Sequence, residues 1–289
     1  MVIAVAVGGG IGNQLFQYAA ARALALRLGV PLTVDSRHFR GRTWPRYALD
    51  GFPIENAPIE ESLLPPVRRD AWRRFRALFA GSRFTVFDET QFRFDESVLA
   101  LSDWTYLRGY FQSEKYFADC IQELRRDLAF SPPRDVENRA VLSEIAATLA
   151  VSLHVRRGDY VTNPRANRVH GTINAEFYRD AAALIAARCG ATPTFFIFSD
   201  DPDWVSANLD IGFPVRVVRH NGVERAADDL RLMAACRHHI LANSSFSWWG
   251  AWLNPSPEKI VVAPRRWFRD PAKDDTDLVP QTWIRLGSA

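Results

Sequence analysis

Five short polar runs hold most of the groups able to do chemistry in this 289-residue chain. They are His154-Val155-Arg156-Arg157-Gly158-Asp159-Tyr160, Ser199-Asp200-Asp201-Pro202-Asp203, His220-Asn221-Gly222, Asn243-Ser244-Ser245 and Pro264-Arg265-Arg266-Trp267. Each follows an apolar, strand-like run. Side chains alternate along a strand, so His154 and Arg156 face one way and Val155 the other. Arg156 and Arg157 at a strand end, with Gly158 allowing close backbone approach, suit a diphosphate. Asp159 can fix an arginine or accept from a ligand; a surface Arg–Asp pair is the bland alternative and would contribute little. Asn243-Ser244-Ser245-Phe246-Ser247 reads as a helix start. Serine and asparagine cap helices well, and a helix N-terminus has free N–H groups for anions. Asp201-Pro202-Asp203 has the form of a metal-binding D-x-D. An aspartate before a proline is also a strong helix start, so capping accounts for it and no metal site is expected.

A second cluster opens the chain. Gly8-Gly9-Gly10-Ile11-Gly12-Asn13 follows an apolar strand and precedes a helix, with Asp35 where a ribose-binding acid would lie. No frame satisfies G-x-G-x-x-G: from Gly8 the last position is Asn13, and from Gly10 it is Leu15. An NAD(P)-dependent oxidoreductase built on Gly8–Gly12 is therefore the weaker alternative. A non-catalytic sugar-binding protein is the other, suggested by nine tryptophans. A neutral sugar has no need of Arg156 and Arg157. Trp248, Trp249 and Trp252 read as core.

The elements that must position these groups are legible in outline. Val2–Val7 reads as a strand, Asn13 to about Leu28 as a helix closed by Gly29, and Pro31–Asp35 as a second strand. Residues 36–100 show few clean periods. Within them Val67–Ala80 reads as a basic amphipathic helix, either a solvated face or a peripheral contact with an anionic membrane surface. Thr105–Arg108 is a strand and Ser113–Leu128 a helix. Ser131-Pro132-Pro133 breaks the chain, dividing it into 1–133 and 134–289. Beyond a helix at about Val136–Leu149, strands at Ala150–Val155, Thr194–Phe198, Val215–Arg219, His239–Ala242 and Lys259–Ala263 alternate with helices at Ala175–Arg188, Pro202–Leu209, Arg225–Cys236 and Phe246–Leu253. That alternation demands an α/β fold with a parallel sheet covered on both faces. Parallel sheets bind ligands outside the carboxyl ends of their strands, where the five polar runs fall.

Composition bounds the rest. A hydrophobic fraction of 47% with 24% charged residues is ordinary for a folded domain and excludes disorder or collagen-like repeats. The longest apolar stretch, Met1–Val7, is far short of the ~20 residues of a membrane span. A net charge of +3 is too small to argue for nucleic acid. Of the 36 basic residues 33 are arginines; genome composition is the general explanation, and some of them can grip phosphate or carboxylate through their planar fork. Cys120, Cys189 and Cys236 are odd in number and widely spaced, so they read as core thiols in a reducing, cytoplasmic compartment, with Val67–Ala80 as the route to any contact with the membrane's inner face.

Four blocks together resemble glycosyltransferase family 11, the α-1,2-fucosyltransferases that use GDP-fucose: GGGIGNQLFQYAAARALA (Gly8–Ala25), GYFQSEKYF (Gly109–Phe117), HVRRGDYV (His154–Val161), and FSDDPDWV with NSSFSWWGAWLN (Phe198–Val205 and Asn243–Asn254). The resemblance implies two Rossmann-like lobes with a cleft between them, the GT-B arrangement. It implies that the C-terminal lobe binds GDP-fucose and the N-terminal lobe mainly the acceptor glycan. It also implies inverting transfer, without a metal or other cofactor, to the 2-hydroxyl of a terminal galactose. Carried over by motif, Arg156 meets the donor diphosphate, with His154 and Asp159 in the same catalytic motif. Arg157, Gly158, Asp200, Asp201, Asn243, Ser244, Ser245 and Phe246 lie on the donor side. Asn13 stands near the reacting centre in a glycine loop made of Gly9, Gly10, Gly12, Asn13 and Gln14. The candidate general bases are Asp159, His154 or another carboxylate of the cleft.

Overall fold

The computed structural model describes residues 1–66 and 83–287; the helix expected over Val67–Ala80 lies outside the described residues. The chain divides into two compact units, Met1–Phe130 and Ser131–Ala289.

The first unit is built on a parallel sheet of order β2-β1-β4-β3, with β1 at Ile3–Ala6, β2 at Leu32–Asp35, β3 at Thr85–Asp88 and β4 at Thr105–Arg108. Helix α1 (Ile11–Leu28) connects β1 to β2. Its alanines at 19, 20, 21, 23 and 25 are all buried, and their small side chains let the helix lie close to its neighbours. Gly29 ends it in the left-handed conformation, φ +63°, where a Cβ would be strained. The single helix expected over Ser113–Leu128 is instead two pieces. Ser113 caps a 3-10 turn at Glu114–Tyr116, and α2 spans Ile121–Asp127. Between them Phe117 and Cys120 leave helical dihedrals, with φ −136° and −129°. The break lets Tyr116 pack on Phe94 and Phe111 while Phe117 packs on Phe16. Strand β3, which periodicity does not show, is a largely exposed edge strand.

The second unit holds a six-stranded parallel sheet of order β10-β9-β8-β5-β6-β7. Its strands are β5 (Ala150–Val155), β6 (Thr194–Ser199), β7 (Val215–Val218), β8 (His238–Ile240), β9 (Val261–Pro264) and β10 (Ile284–Leu286). Six strands replace the five expected, and two short helices, α4 (Gly158–Thr162) and α5 (Pro164–His170), follow β5. On one face Val151, Leu153 and Val155 pack with residues of α6 (Ala175–Cys189) and α7 (Pro202–Asn208). On the other, Ala150, Phe196 and Phe198 pack with α3 (Val136–Ala146) and α8 (Ala226–Ala235), and α9 (Ser245–Leu253) packs beside α8. Trp248 and Trp249 are fully buried and Trp252 nearly so, as expected of core. The three cysteines are free thiols, two of them buried.

The chain moves outward from β5 through β6 to β7, then returns to lay β8 on the opposite side of β5. The connections on either side of the β5–β8 pair therefore diverge. In a doubly wound sheet this switch point opens a crevice at the carboxyl ends. The start of α9 lies there, and its close packing on α8 requires Gly250: an added Cβ would sit 2.9 Å from Met233 Cε and 3.0 Å from its Cβ. Gly250→Ala is expected to lower stability by about 1–3 kcal/mol through overpacking, although alanine is the better helix former by ~1 kcal/mol. Urea unfolding checks this, and an unchanged or raised midpoint would refute the close-packing reading.

Candidate active site

Arg156 leaves β5 at the switch point, where its guanidinium is bracketed by two carboxylates. Nη2 donates to Asp159 Oδ1 at 2.5 Å and Nη1 lies 2.8 Å from Asp200 Oδ2. Asp200 also accepts from the Arg157 backbone N–H at 2.8 Å. This crowding explains Gly158, because a Cβ there would collide with the Asp200 carboxylate. Arg157 reaches Asp201 Oδ2 at 3.2 Å and lies over the Trp204 ring, 3.8 Å from its centroid. Asp201 caps α7, accepting from Trp204 N at 3.2 Å, with Pro202 in the first turn. Asp203 pairs with Arg219 at 2.7 Å. The aspartates of the D-x-D pattern are thus engaged in capping and ion pairs. Among the described residues no group of three or more His, Cys, Asp or Glu side chains is arranged to hold a metal ion.

The β8 exit meets the β5 exit directly. The His154 and Phe246 rings are 5.3 Å apart, and the Tyr160 hydroxyl donates to the Asn243 carbonyl at 3.2 Å. Ser244 caps α9, its Oγ accepting from Phe246 N at 3.3 Å, and Ser245 is the first helical residue. Asn243 works differently from the expected donor contact. Its Nδ2 is committed to the carbonyls of His170 and Trp267 at 2.8 and 3.2 Å, so it ties the surrounding loops together. His154 Nδ1 and Asn243 Oδ1 are buried without a hydrogen-bond partner. Leaving such atoms unpaired costs ~1–3 kcal/mol each, and both belong to residues at this one edge. Burial, reinforced by the Arg156 charge, lowers the His154 pKa to about 3. A ring that stays neutral this far into acid is a poor general base at neutral pH. Asp159 is the exposed carboxylate of the motif, with half of its side chain in solvent.

The glycine loop belongs to the first unit. Gly9 adopts φ +76°, and a Cβ there would strike Asn13. Gly10 is the N-cap of α1, and Gly12 is buried in its first turn. Gln14 is fully buried. Its Nε2 donates to the Gly9 and Arg46 carbonyls at 2.9 and 2.7 Å, and its Oε1 accepts from Ala48 N. Gln17, one turn on, accepts from Gly8 N at 2.8 Å and donates to the Gly109 carbonyl at 2.9 Å. Asn13 Oδ1 accepts from Gln112 Nε2 at 2.8 Å. Asp35 is buried and already occupied by Arg37 and by the Tyr106 hydroxyl at 2.6 Å. It is not the open ribose acceptor that a dinucleotide reading needs.

The model of the family described as glycosyl transferase family 11 matches residues 79–287. The chain belongs to this family. An Escherichia coli α-1,2-colitosyltransferase is 30% identical over 295 residues, covering 99% of this chain and 99% of that protein. The Escherichia coli O-antigen biosynthesis glycosyltransferase WbnK is 32% identical over 305 residues, covering 97% of this chain and 99% of the relative. The structure of an Arabidopsis thaliana FUT1 mutant in complex with GDP superposes with a TM-score of 0.53 at 11% identity, covering 96% of this chain and 75% of that one. That likeness, with the two parallel α/β sheets, gives the fold as GT-B.

In this family 11 glycosyltransferase one polar cluster escapes motif reading. Asn138, at the start of α3, donates to Asp135 and to Asn221, and its Oδ1 accepts from His220 and Asn221 at 3.0 and 2.9 Å. Asn221 also donates to Asp229 in α8 at 2.8 Å, and burial raises the Asp229 pKa to about 7. The His220-Asn221-Gly222 exit signals part of this cluster. Nothing local marks Asn138 or Asp229, since acidic residues in a first helical turn are ordinary. Acid stability tests the state of His154. Between its unfolded pKa of about 6.5 and its folded pKa of about 3, only the unfolded chain binds the proton. Stability is therefore lost as pH falls through that window. Thermal melts from pH 7 to 4 are expected to show a steeper loss in the native protein than in His154→Gln or His154→Phe. Equal slopes would refute the assignment.

Proposed function

We propose that this enzyme transfers L-fucose from GDP-fucose, with inversion, to the 2-hydroxyl of a terminal galactose on a glycan. The second unit takes the nucleotide sugar and the first unit the acceptor. The observation that carries this reading is Arg156, held by Asp159 and Asp200 at the β5–β8 switch point beside the start of α9. The acceptor oxygen forms its bond to the sugar C1 as the C1–O bond to the β-phosphate breaks. The electron pair leaves with GDP, and charge grows on a phosphate oxygen. A guanidinium fixed in place before the reaction, together with N–H groups of the α9 first turn, stabilises that charge most in the transition state. Ser244, Ser245 and Phe246 line the same helix start, and Arg157 adds a second cation. The acceptor hydroxyl proton goes to the Asp159 carboxylate rather than to the buried His154. The pig galactoside α-(1,2)-fucosyltransferase 1, 27% identical over 64% of this chain, supports the galactoside reading. The E. coli colitosyltransferase favours a second one, in which the donor sugar is a close deoxy relative of fucose. Metal-free action fits a site whose cations are arginines, and the free thiols fit a cytoplasmic location. No described helix is long and apolar enough to cross a membrane.

Incubation with GDP-fucose and lactose in excess EDTA is expected to give a product heavier by one deoxyhexose, with linkage analysis placing it on the galactose 2-hydroxyl. Activity that disappears in EDTA and returns with Mn²⁺ or Mg²⁺ would overturn the metal-free mechanism. A product formed only with the colitose nucleotide would select the second donor. Arg156→Ala is expected to fold normally and to turn over about 10²–10³-fold more slowly. A near-native rate in that variant would remove Arg156 from the site.

A further inference from the structure

Among the described residues only two aromatic side chains are strongly exposed, Trp44 at 56% and Tyr110 at 44%. Both sit on loops clamped to the glycine loop. Gln14 holds the Trp44 loop through Arg46 and Ala48, and Gln17 holds Gly109, next to Tyr110. The Tyr110 turn is also strained into place. Phe111 is buried with φ +52°, a conformation that bulky residues rarely adopt. Glu89 spends both carboxylate oxygens on this turn, accepting from Tyr110 N at 2.6 Å and Phe111 N at 2.9 Å. A Cβ at Gly109 would collide with Glu89. The inverted residue turns Phe111 into the core and leaves Tyr110 outside, its ring stacked within 17° of parallel on Phe92. Strain of this kind persists where the surroundings over-determine it, and it clusters at ligand sites.

The chemistry here contrasts with that of the second unit. There the strand exits carry arginines. Here the side chains that bridge the loops are, apart from Glu89, whose oxygens are spent on backbone N–H groups, neutral amides: Asn13, Gln14, Gln17 and Gln112. Flat aromatic faces beside neutral donors and acceptors suit a ligand with one apolar face and a rim of hydroxyls. A β-galactopyranoside has that form, with its ring hydrogens gathered on one face. We propose that Tyr110 and Trp44 are the aromatic walls of the acceptor subsite, receiving the neutral terminal galactoside, with Asn13 and Gln112 meeting its hydroxyls. This assignment rests on the reading of the first unit as the acceptor side and adds the residues that select the sugar.

The test pairs lactose kinetics with an independent donor measurement on the full chain. Tyr110→Ala and Trp44→Ala are each expected to raise the lactose KM at least tenfold. The GDP Kd, by calorimetry, should stay within twofold of native, and Tyr110→Phe should keep a near-native lactose KM. The exposure of both residues predicts normal melting temperatures, which screens out misfolding. A lactose KM within twofold of native in both alanine variants would overturn the proposal. So would a parallel loss of GDP affinity, which would mark a general structural effect. If the native protein binds GDP yet does not turn over lactose, the galactoside transfer reading fails by itself. Saturation-transfer NMR with lactose alone then decides the subsite: a native signal that Tyr110→Ala abolishes supports it, and no native signal overturns it.

Discussion

The working edge of the second unit depends on one constraint: β5 and β8 are hydrogen-bonded neighbours although two other strands, β6 and β7, are threaded between them in sequence. Their parallel pairing puts the His154–Asp159 run and the Asn243–Ser247 run side by side. The contacts of Phe246 with His154, and of Tyr160 with the Asn243 carbonyl, are consequences of that pairing. Had β8 been added beyond β7, the same two motifs would be separated by two strands. Right-handed crossovers force the returning helices α8 and α9 onto the face opposite α6 and α7, which brings their N-termini to the same edge.

Electrostatics then refines what topology assembles. Arg156 is fixed by a largely buried carboxylate, Asp200, and an exposed one, Asp159, so its fork is oriented before any ligand arrives. On the proposed donor reading, an arriving diphosphate would exchange one anion for another around a stationary cation, which limits the reorganisation that charge development in water would require. The arrangement explains why the motif alternates basic, glycine and acidic residues over so short a span. Only glycine leaves room at position 158 for the Asp200 carboxylate, which reaches across to both Arg156 and the Arg157 backbone N–H.

Much of this was legible in sequence because it is local or periodic. The buried strands are continuous apolar runs, the exit runs are polar, and Asp201-Pro202 and Ser244 signal helix starts that the structure contains. What escaped lies in long-range packing. Strand β3 is exposed at the sheet edge and so carries no apolar run to read. The helix expected over Ser113–Leu128 breaks because Tyr116 and Phe117 are drawn to partners far away in sequence, Phe94 and Phe16. Asn138, Asn221 and Asp229 come from three separate elements, and their cluster exists only once α3 packs on α8. Asn243 and Gln14 stand within the motifs that the sequence marks, yet hydrogen bonding commits their amides to neighbouring backbone.

The two glutamines of the opening motif have a bearing on how such a protein can vary. Gln14 and Gln17 stand three residues apart on one rigid helix and grip only main-chain atoms of the loops on either side. Backbone anchorage is indifferent to side-chain identity. The segments flanking Arg46, Ala48 and Gly109 can therefore be exchanged like bits in a fixed chuck, with the helix setting their depth and angle. A lineage can change what its loops recognise without redesigning how they are mounted, and a protein engineer who keeps these anchor points inherits the same freedom.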